Sequence, residues 1–164
     1  MEKQKKSDFS HLDESGSPRM VDVGHKEINA RSAIAESTVI LGEEIISLMK
    51  NDEVHTKKGP VFQTAIIAGI MAAKKTHELI PMCHPLLIDH CNVVVEVEGK
   101  DSVRIRAEVR NSGKTGVEME ALTACSVAAL TVYDMCKSIS KSIRITETKL
   151  LIKKGGKSDF TRIS

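Results

Sequence analysis

The chain has 164 residues, enough for one domain with a real core, and its 41% hydrophobic and 28% charged fractions are ordinary for a globular protein. With no Trp, one Tyr and three Phe, the core must be built from Val, Ile, Leu, Met and Ala, and the aromatic platforms of single-strand nucleic-acid binders are missing. A formal net charge of +2 sets up no global field of the kind that marks a nucleic-acid or membrane binder, although a few local lysines can still hold a phosphate.

Residues 1–19 are charged and carry no apolar run, so they do not read as a signal peptide. No stretch approaches the length of a membrane span. Cys83, Cys91, Cys125 and Cys136 lack the spacing of a disulfide framework, which predicts reduced thiols in a cytoplasmic protein.

Residues 1–18 are polar and predict a flexible leader. Residues 31–41 mix Ala, Ser, Thr, Val and Ile and predict a strand ending at Gly42. Residues 42–50 then carry Ile45, Ile46, Leu48 and Met49, the stripe of a helix. A second helix is predicted over 60–76, with Pro60 near its first turn and small residues inside (Ala65, Ala68, Gly69, Ala72, Ala73) that allow close packing. Residues 80–85 are stiffened by Pro81 and Pro85 and predict an irregular segment.

Residues 92–98 are Val-rich. Residues 103–109 alternate, with Val103, Ile105, Ala107 and Val109 on one face and Arg104, Arg106 and Glu108 on the other. Gly99-Lys-Asp between them predicts a hairpin. A long helix is predicted over 115–138, with Thr115 and Glu118 spaced as a capping box. A last strand over 142–152 runs into the basic tail Lys153-Lys-Gly-Gly-Lys157. The order of elements predicts an α+β, ferredoxin-like sandwich, helices packed on one face of a mostly antiparallel sheet.

Several segments could carry chemistry. Pro81-Met-Cys-His-Pro-Leu86 holds a Cys–His pair between prolines; the bland reading is a buried turn with an incidental His. Cys83, His84, His90 and Cys91 form C-H-x5-H-C, which is not a familiar zinc spacing, and His90–Cys91 leads into a strand that points neighbours to opposite faces. Gly113-Lys-Thr-Gly-Val-Glu-Met-Glu120 sits at a strand-to-helix junction, where free N–H groups suit a phosphate. It is not a P-loop, because Glu108 stands where that pattern needs Gly. Glu118 reads more simply as a cap; Glu120 has no such ready explanation.

Asp134 and Lys137, spaced i,i+3, can pair, and their apolar flanks predict partial burial of the pair. Lys57-Lys58 precede the second helix, where they could meet an anion bound at its start or simply form a basic loop. Glu120 and Asp134 lie fourteen residues apart on one helix, ~21 Å, too far to share a small substrate. If both act, the site combines two chains, with the small face of Ala121, Ala124, Cys125 and Ala128 permitting antiparallel approach across a two-fold axis.

Taken together, the chain resembles the MoaC family of molybdenum-cofactor biosynthesis. The likeness rests on Met20-Val-Asp-Val23, Lys58-Gly, Ala68-Gly-Ile70, Ile80-Pro-Met-Cys-His-Pro-Leu86, Gly113 through Ala124, Tyr133-Asp-Met-Cys-Lys137 and Lys154-Gly-Gly-Lys-Ser158. The resemblance implies a cyclic pyranopterin monophosphate synthase, a lyase that converts a cyclised dihydro-GTP intermediate to cyclic pyranopterin monophosphate and releases pyrophosphate. It also implies a homohexamer, a trimer of dimers with sites at the dimer interface, fed by an upstream radical-SAM GTP cyclase.

On the matching positions Asp134, Lys137 and Lys58 are expected to be catalytic, and Met82, Cys83, His84, Met119, Glu120 and Arg31 to bind substrate, with the 153–157 tail as a further phosphate candidate. Residues 19–158 would form one catalytic domain and 159–164 a tail. No metal ligands and no resident cofactor are expected; whether Mg²⁺ accompanies the substrate triphosphate stays open. No nucleic-acid or membrane partner is expected. The tail departs from the family's Gly-Gly-Lys-Ser-Gly, since Asp159 stands where the last Gly would be.

Two other readings stay open. A nucleotide-binding regulatory module of the same fold would explain the lysines but not Glu120 and Asp134. A zinc-dependent hydrolase would carry stoichiometric metal.

Overall fold

The computed structural model describes residues 15–163, so the leader expected over 1–18 lies mostly outside the described residues. In chain order the elements are β1 (Asn29–Ile40), α1 (Glu43–Ile46), β2 (His55–Thr56), β3 (Gly59–Pro60), α2 (Val61–Ala73), α3 (Thr76–Leu79), β4 (His90–Glu98), β5 (Ser102–Gly113), α4 (Glu118–Cys136), β6 (Arg144–Lys154) and β7 (Phe160–Thr161). The large sheet runs β4-β5-β1-β6-β7, and neighbouring strands in it pair antiparallel. Its four long strands and the two long helices follow the β-α-β-β-α-β order of a ferredoxin-like sandwich.

Alternation decides the faces. Ala33, Ala35 and Val39 on β1 and Val103, Ile105, Ala107 and Val109 on β5 are buried, all pointing to the side that α2 and α4 cover. The opposite face carries ions, with Glu36 taking Arg106 at 2.8 Å and Arg104 taking Glu98 at 3.0 Å. At Gly69 of α2 a Cβ would lie 2.9 Å from the Ala124 carbonyl oxygen, so glycine is what lets α2 and α4 approach.

That packing corrects one expectation. Ala121, Ala124, Cys125 and Ala128 are fully buried within their own chain, and do not form an outer face for a second copy. Small side chains serve close packing wherever a partner lies, and here the partners are the sheet and α2.

Other departures are local. The helix expected over 42–50 shrinks to α1: Leu48 and Met49 N–H groups bond to the Ile45 and Ile46 carbonyls at 3.1 Å as tighter turns, and Asn51 (φ 52°) and Asp52 (φ 59°) then turn the chain through the left-handed region that their short polar side chains tolerate. The helix expected over 60–76 stops at Ala73. Buried Thr76 donates its hydroxyl to the Ala73 carbonyl at 3.0 Å, and the chain restarts as α3. The capping box is absent: Val117 occupies the N-cap of α4 and no side chain bonds there. Strand β7 falls in the segment expected as a tail: its two residues have no sequence pattern of their own and form a strand by pairing with Ile152 and Lys153. No described helix is long and apolar enough to cross a membrane.

Candidate active site

Chemistry-bearing residues gather at the two ends of α4. At its N-terminal end a cleft of about 510 Å³ is lined by Met82, Cys83 and His84 from the proline-bracketed segment and by Met119 and Glu120 from the first helical turn. The chain before β1 closes the cleft. Lys114 Nζ donates to the Gly24 carbonyl at 2.6 Å, and Asp22 Oδ1 accepts the Gly24 N–H at 2.7 Å. His84 Nε2 lies 2.8 Å from the Val21 carbonyl oxygen. A carbonyl only accepts, so Nε2 carries a proton and Nδ1 is the nitrogen left for a ligand.

Lys26 and Lys157 reach the same cleft, which they share with Glu118 and Glu120. Lys26 was missed by sequence reasoning; its one signal is its place just beyond Met20-Val-Asp-Val23. Glu118, whose spacing reads as a cap, instead meets Lys153 Nζ at 3.2 Å. Gly116 leaves room for it, because a Cβ there would collide with the Glu118 carboxylate. In the tail, Gly155 (φ 81°) passes against the Ala30 carbonyl, and its N–H is accepted by Asp159 Oδ1 at 3.0 Å. Asp159 thus closes the turn that carries Lys157.

Glu120 is only 3% exposed. Burial lifts its carboxyl to about 7, opposed by a backbone hydrogen bond and helped by the neighbouring Glu118 charge. The Cys83 thiol is also pushed up, first by burial and then by Glu120.

At the other end of α4, Asp134 stands between two ammonium groups. Lys137 Nζ is 2.7 Å from Oδ1 and Lys58 Nζ is 2.6 Å from Oδ2, with a second Lys58 contact to the Asp134 carbonyl oxygen at 3.0 Å. Hydrogen bonds from Lys137 and then Lys58 hold the Asp134 carboxyl down at about 2, and Asp134 in turn raises Lys137. All three side chains are about half exposed, so the partial burial expected for the Asp134–Lys137 pair is not found within one chain. Nor does Lys58 wait at the start of α2 for an anion: it bends to Asp134.

Arg31 is not brought into the cleft. Its Nε donates to the Gly113 carbonyl at 2.8 Å, and it lines a separate hollow of about 540 Å³ with His90 and Arg110. The C-H-x5-H-C set is dispersed too, with Cys83 in the cleft and His90 in that hollow. Among the described residues no group of three or more His, Cys, Asp or Glu gathers closely enough to hold a metal.

Between its two ends α4 turns an unpaired stripe outward: Met119 (37% exposed) and Leu130 (58% exposed), with Leu122, Ser126 and Tyr133 half-buried along the same line.

The model of the MoaC family matches residues 20–156. A cyclic pyranopterin monophosphate synthase of Xanthomonas campestris pv. campestris (strain B100) is 52% identical over 152 residues, covering 93% of this chain and 92% of that protein. Proteins of the same name from Xanthomonas oryzae pv. oryzae (strain MAFF 311018) and Lysinibacillus sphaericus (strain C3-41) are each 50% identical, with 96% of both chains covered in the first case and 93% and 96% in the second.

Proposed function

Since the chain belongs to the MoaC family, we propose that it is a cyclic pyranopterin monophosphate synthase, taking the cyclised dihydro-GTP intermediate to cyclic pyranopterin monophosphate and pyrophosphate. The observation that carries this reading is the pairing of opposite tasks along one helix. A cleft with two lysines and a buried carboxyl raised to about 7 lies at one end, and a lysine–aspartate–lysine cluster at the other.

Each group has a task it is suited to. Asp134 is ionised at neutral pH, so it donates no proton; it holds Lys58 and Lys137 in place. Lys137 is kept protonated, which suits it to stabilise developing negative charge. Glu120, near 7, can both give and take a proton and is the better general acid–base. Lys26 and Lys157 suit the triphosphate and the departing pyrophosphate, with His84 Nδ1 beside them. Met82, Cys83 and Met119 supply walls for the pterin. We keep Arg31 as a phosphate candidate from its separate hollow. Any Mg²⁺ would be held mainly by the substrate's phosphates.

The two ends belong to one site only if two chains build it. We assign the contact to the outward stripe of α4. Antiparallel packing of Met119, Leu122, Ser126, Leu130 and Tyr133 on a second copy, with the two-fold axis near Ser126, would bring Glu120 of one chain to Asp134 of the next. Three such dimers make the expected hexamer. Residues 19–158 are the catalytic unit, and four free cysteines suit the reducing cytoplasm.

The test is direct. Purified chain is given the cyclised intermediate, and pyrophosphate and cyclic pyranopterin are followed, with Lys58→Ala and Asp134→Ala alongside. Turnover lost in both variants supports the reading. Binding without turnover by the native chain refutes it in favour of a regulatory module.

A further inference from the structure

We propose that Glu53 is a positioning residue for Lys58: its carboxylate pins both ends of the hairpin that delivers the Lys58 ammonium to Asp134. The proposal takes Lys58 as a site residue and so rests on the reading above.

Pro60 stands at the N-cap of α2 and has no side-chain acceptor to offer the helix's free N–H groups. Glu53, seven residues earlier, supplies one from outside. Its Oε1 accepts from Phe62 N–H at 2.8 Å and from Val54 N–H at 2.9 Å, and its Oε2 accepts from Gln63 N–H at 3.0 Å. The side chain is almost fully enclosed, at 9% exposure, and a negative charge at a helix start is favoured by the helix dipole.

These bonds close a loop. Glu53 is tied back to Lys50 by a pair of backbone bonds of 2.9 and 3.2 Å, and Val61 N–H donates to the Val54 carbonyl at 2.9 Å. What lies between is the β2–β3 hairpin. At its tip Thr56 Oγ1 accepts the Lys58 N–H at 3.2 Å, and Gly59 takes a φ of 111° that only glycine adopts easily. Lys58 therefore leaves a rigid turn. From there its ammonium meets both the carboxylate and the carbonyl oxygen of Asp134. The Cys136 thiol at the end of α4 is pushed up first by burial and then by the nearby Glu53 charge. One buried carboxylate thus joins the start of α2 to the base of the hairpin.

The experiment follows Asp134 by carboxyl-carbon NMR through an acid titration, in full-length native protein and in the Glu53→Gln, Glu53→Asp and Lys58→Ala variants. Gln keeps the size but turns an NH₂ toward backbone N–H groups. Release of Lys58 then raises the Asp134 midpoint as far as Lys58→Ala does, and the double variant shows no further rise. Asp keeps the charge on a shorter arm and gives an intermediate rise. Turnover falls together with the midpoint shift, by about tenfold for Gln, as expected for a displaced reacting group. An Asp134 midpoint unchanged in both Glu53 variants, whatever their melting temperature, makes Glu53 a helix cap alone and overturns the proposal. If the Gln variant does not fold, the Asp variant decides by the same reading. The titration needs no turnover, so it judges Glu53 whether or not the assigned reaction is observed.

Discussion

Mixing two inactive variants tests whether one site spans two chains. Glu120 and Asp134 lie fourteen residues apart on a continuous helix, ~21 Å along its axis, and neither end can swing to the other. Glu120→Gln and Asp134→Asn, each alone, spoil every site. If a site takes Glu120 from one chain and Asp134 from its partner, a mixed dimer holds one site with both defects and one with neither. Equal amounts exchanged at random give half mixed dimers, so about a quarter of native activity returns. The assay is pyrophosphate release after the two proteins are coexpressed, or mixed and exchanged in mild denaturant. Activity should rise from near zero to that fraction and depend on the mixing ratio with a maximum at equality. No recovery, with exchange verified by mass-tagged chains, would mean that each site is complete within one chain and would refute the antiparallel contact.

Glu120→Gln should also change how stability depends on pH. The folded carboxyl sits near 7 against an ordinary 4.5, so its favourable contribution is full below about 4.5 and is lost as pH rises through 7. Urea unfolding of the dissociated chain at pH 5 and pH 8 should show the native form losing up to about 2 kcal/mol more than the variant, the shift being discounted for solvent in the cleft. Gly155→Ala places a Cβ in the left-handed region and against the Ala30 carbonyl. It should cost about 1–3 kcal/mol and weaken pyrophosphate binding, measured calorimetrically, because Lys153 and Lys157 flank the turn. Ile105→Ala empties a fully buried position on the inner strand β5 and should destabilise by about 2–5 kcal/mol in the same unfolding assay.

The sequence by itself determined the sandwich, and it determined which strand face and which helical neighbours meet. The alternation of Val103, Ile105, Ala107 and Val109 reports directly on which face meets the helices, because side chains of a strand point alternately to its two sides. The spacing of Asp134 and Lys137 likewise sufficed to place them in contact, since three residues is nearly one helical turn. Local signals failed where the partner was distant in the chain. Glu118 looked like a cap until Lys153 arrived beside it from β6. Nothing around Glu53 hinted that it would cap α2, because an acceptor brought from another segment leaves no periodic trace. The small residues of α4 looked available to a second copy, yet α2 and the sheet had already claimed them. Only the tertiary structure decided that Lys58 meets Asp134 and that Arg31 stays behind Gly113, because both depend on where long-range strand and helix packing brings two remote backbones together.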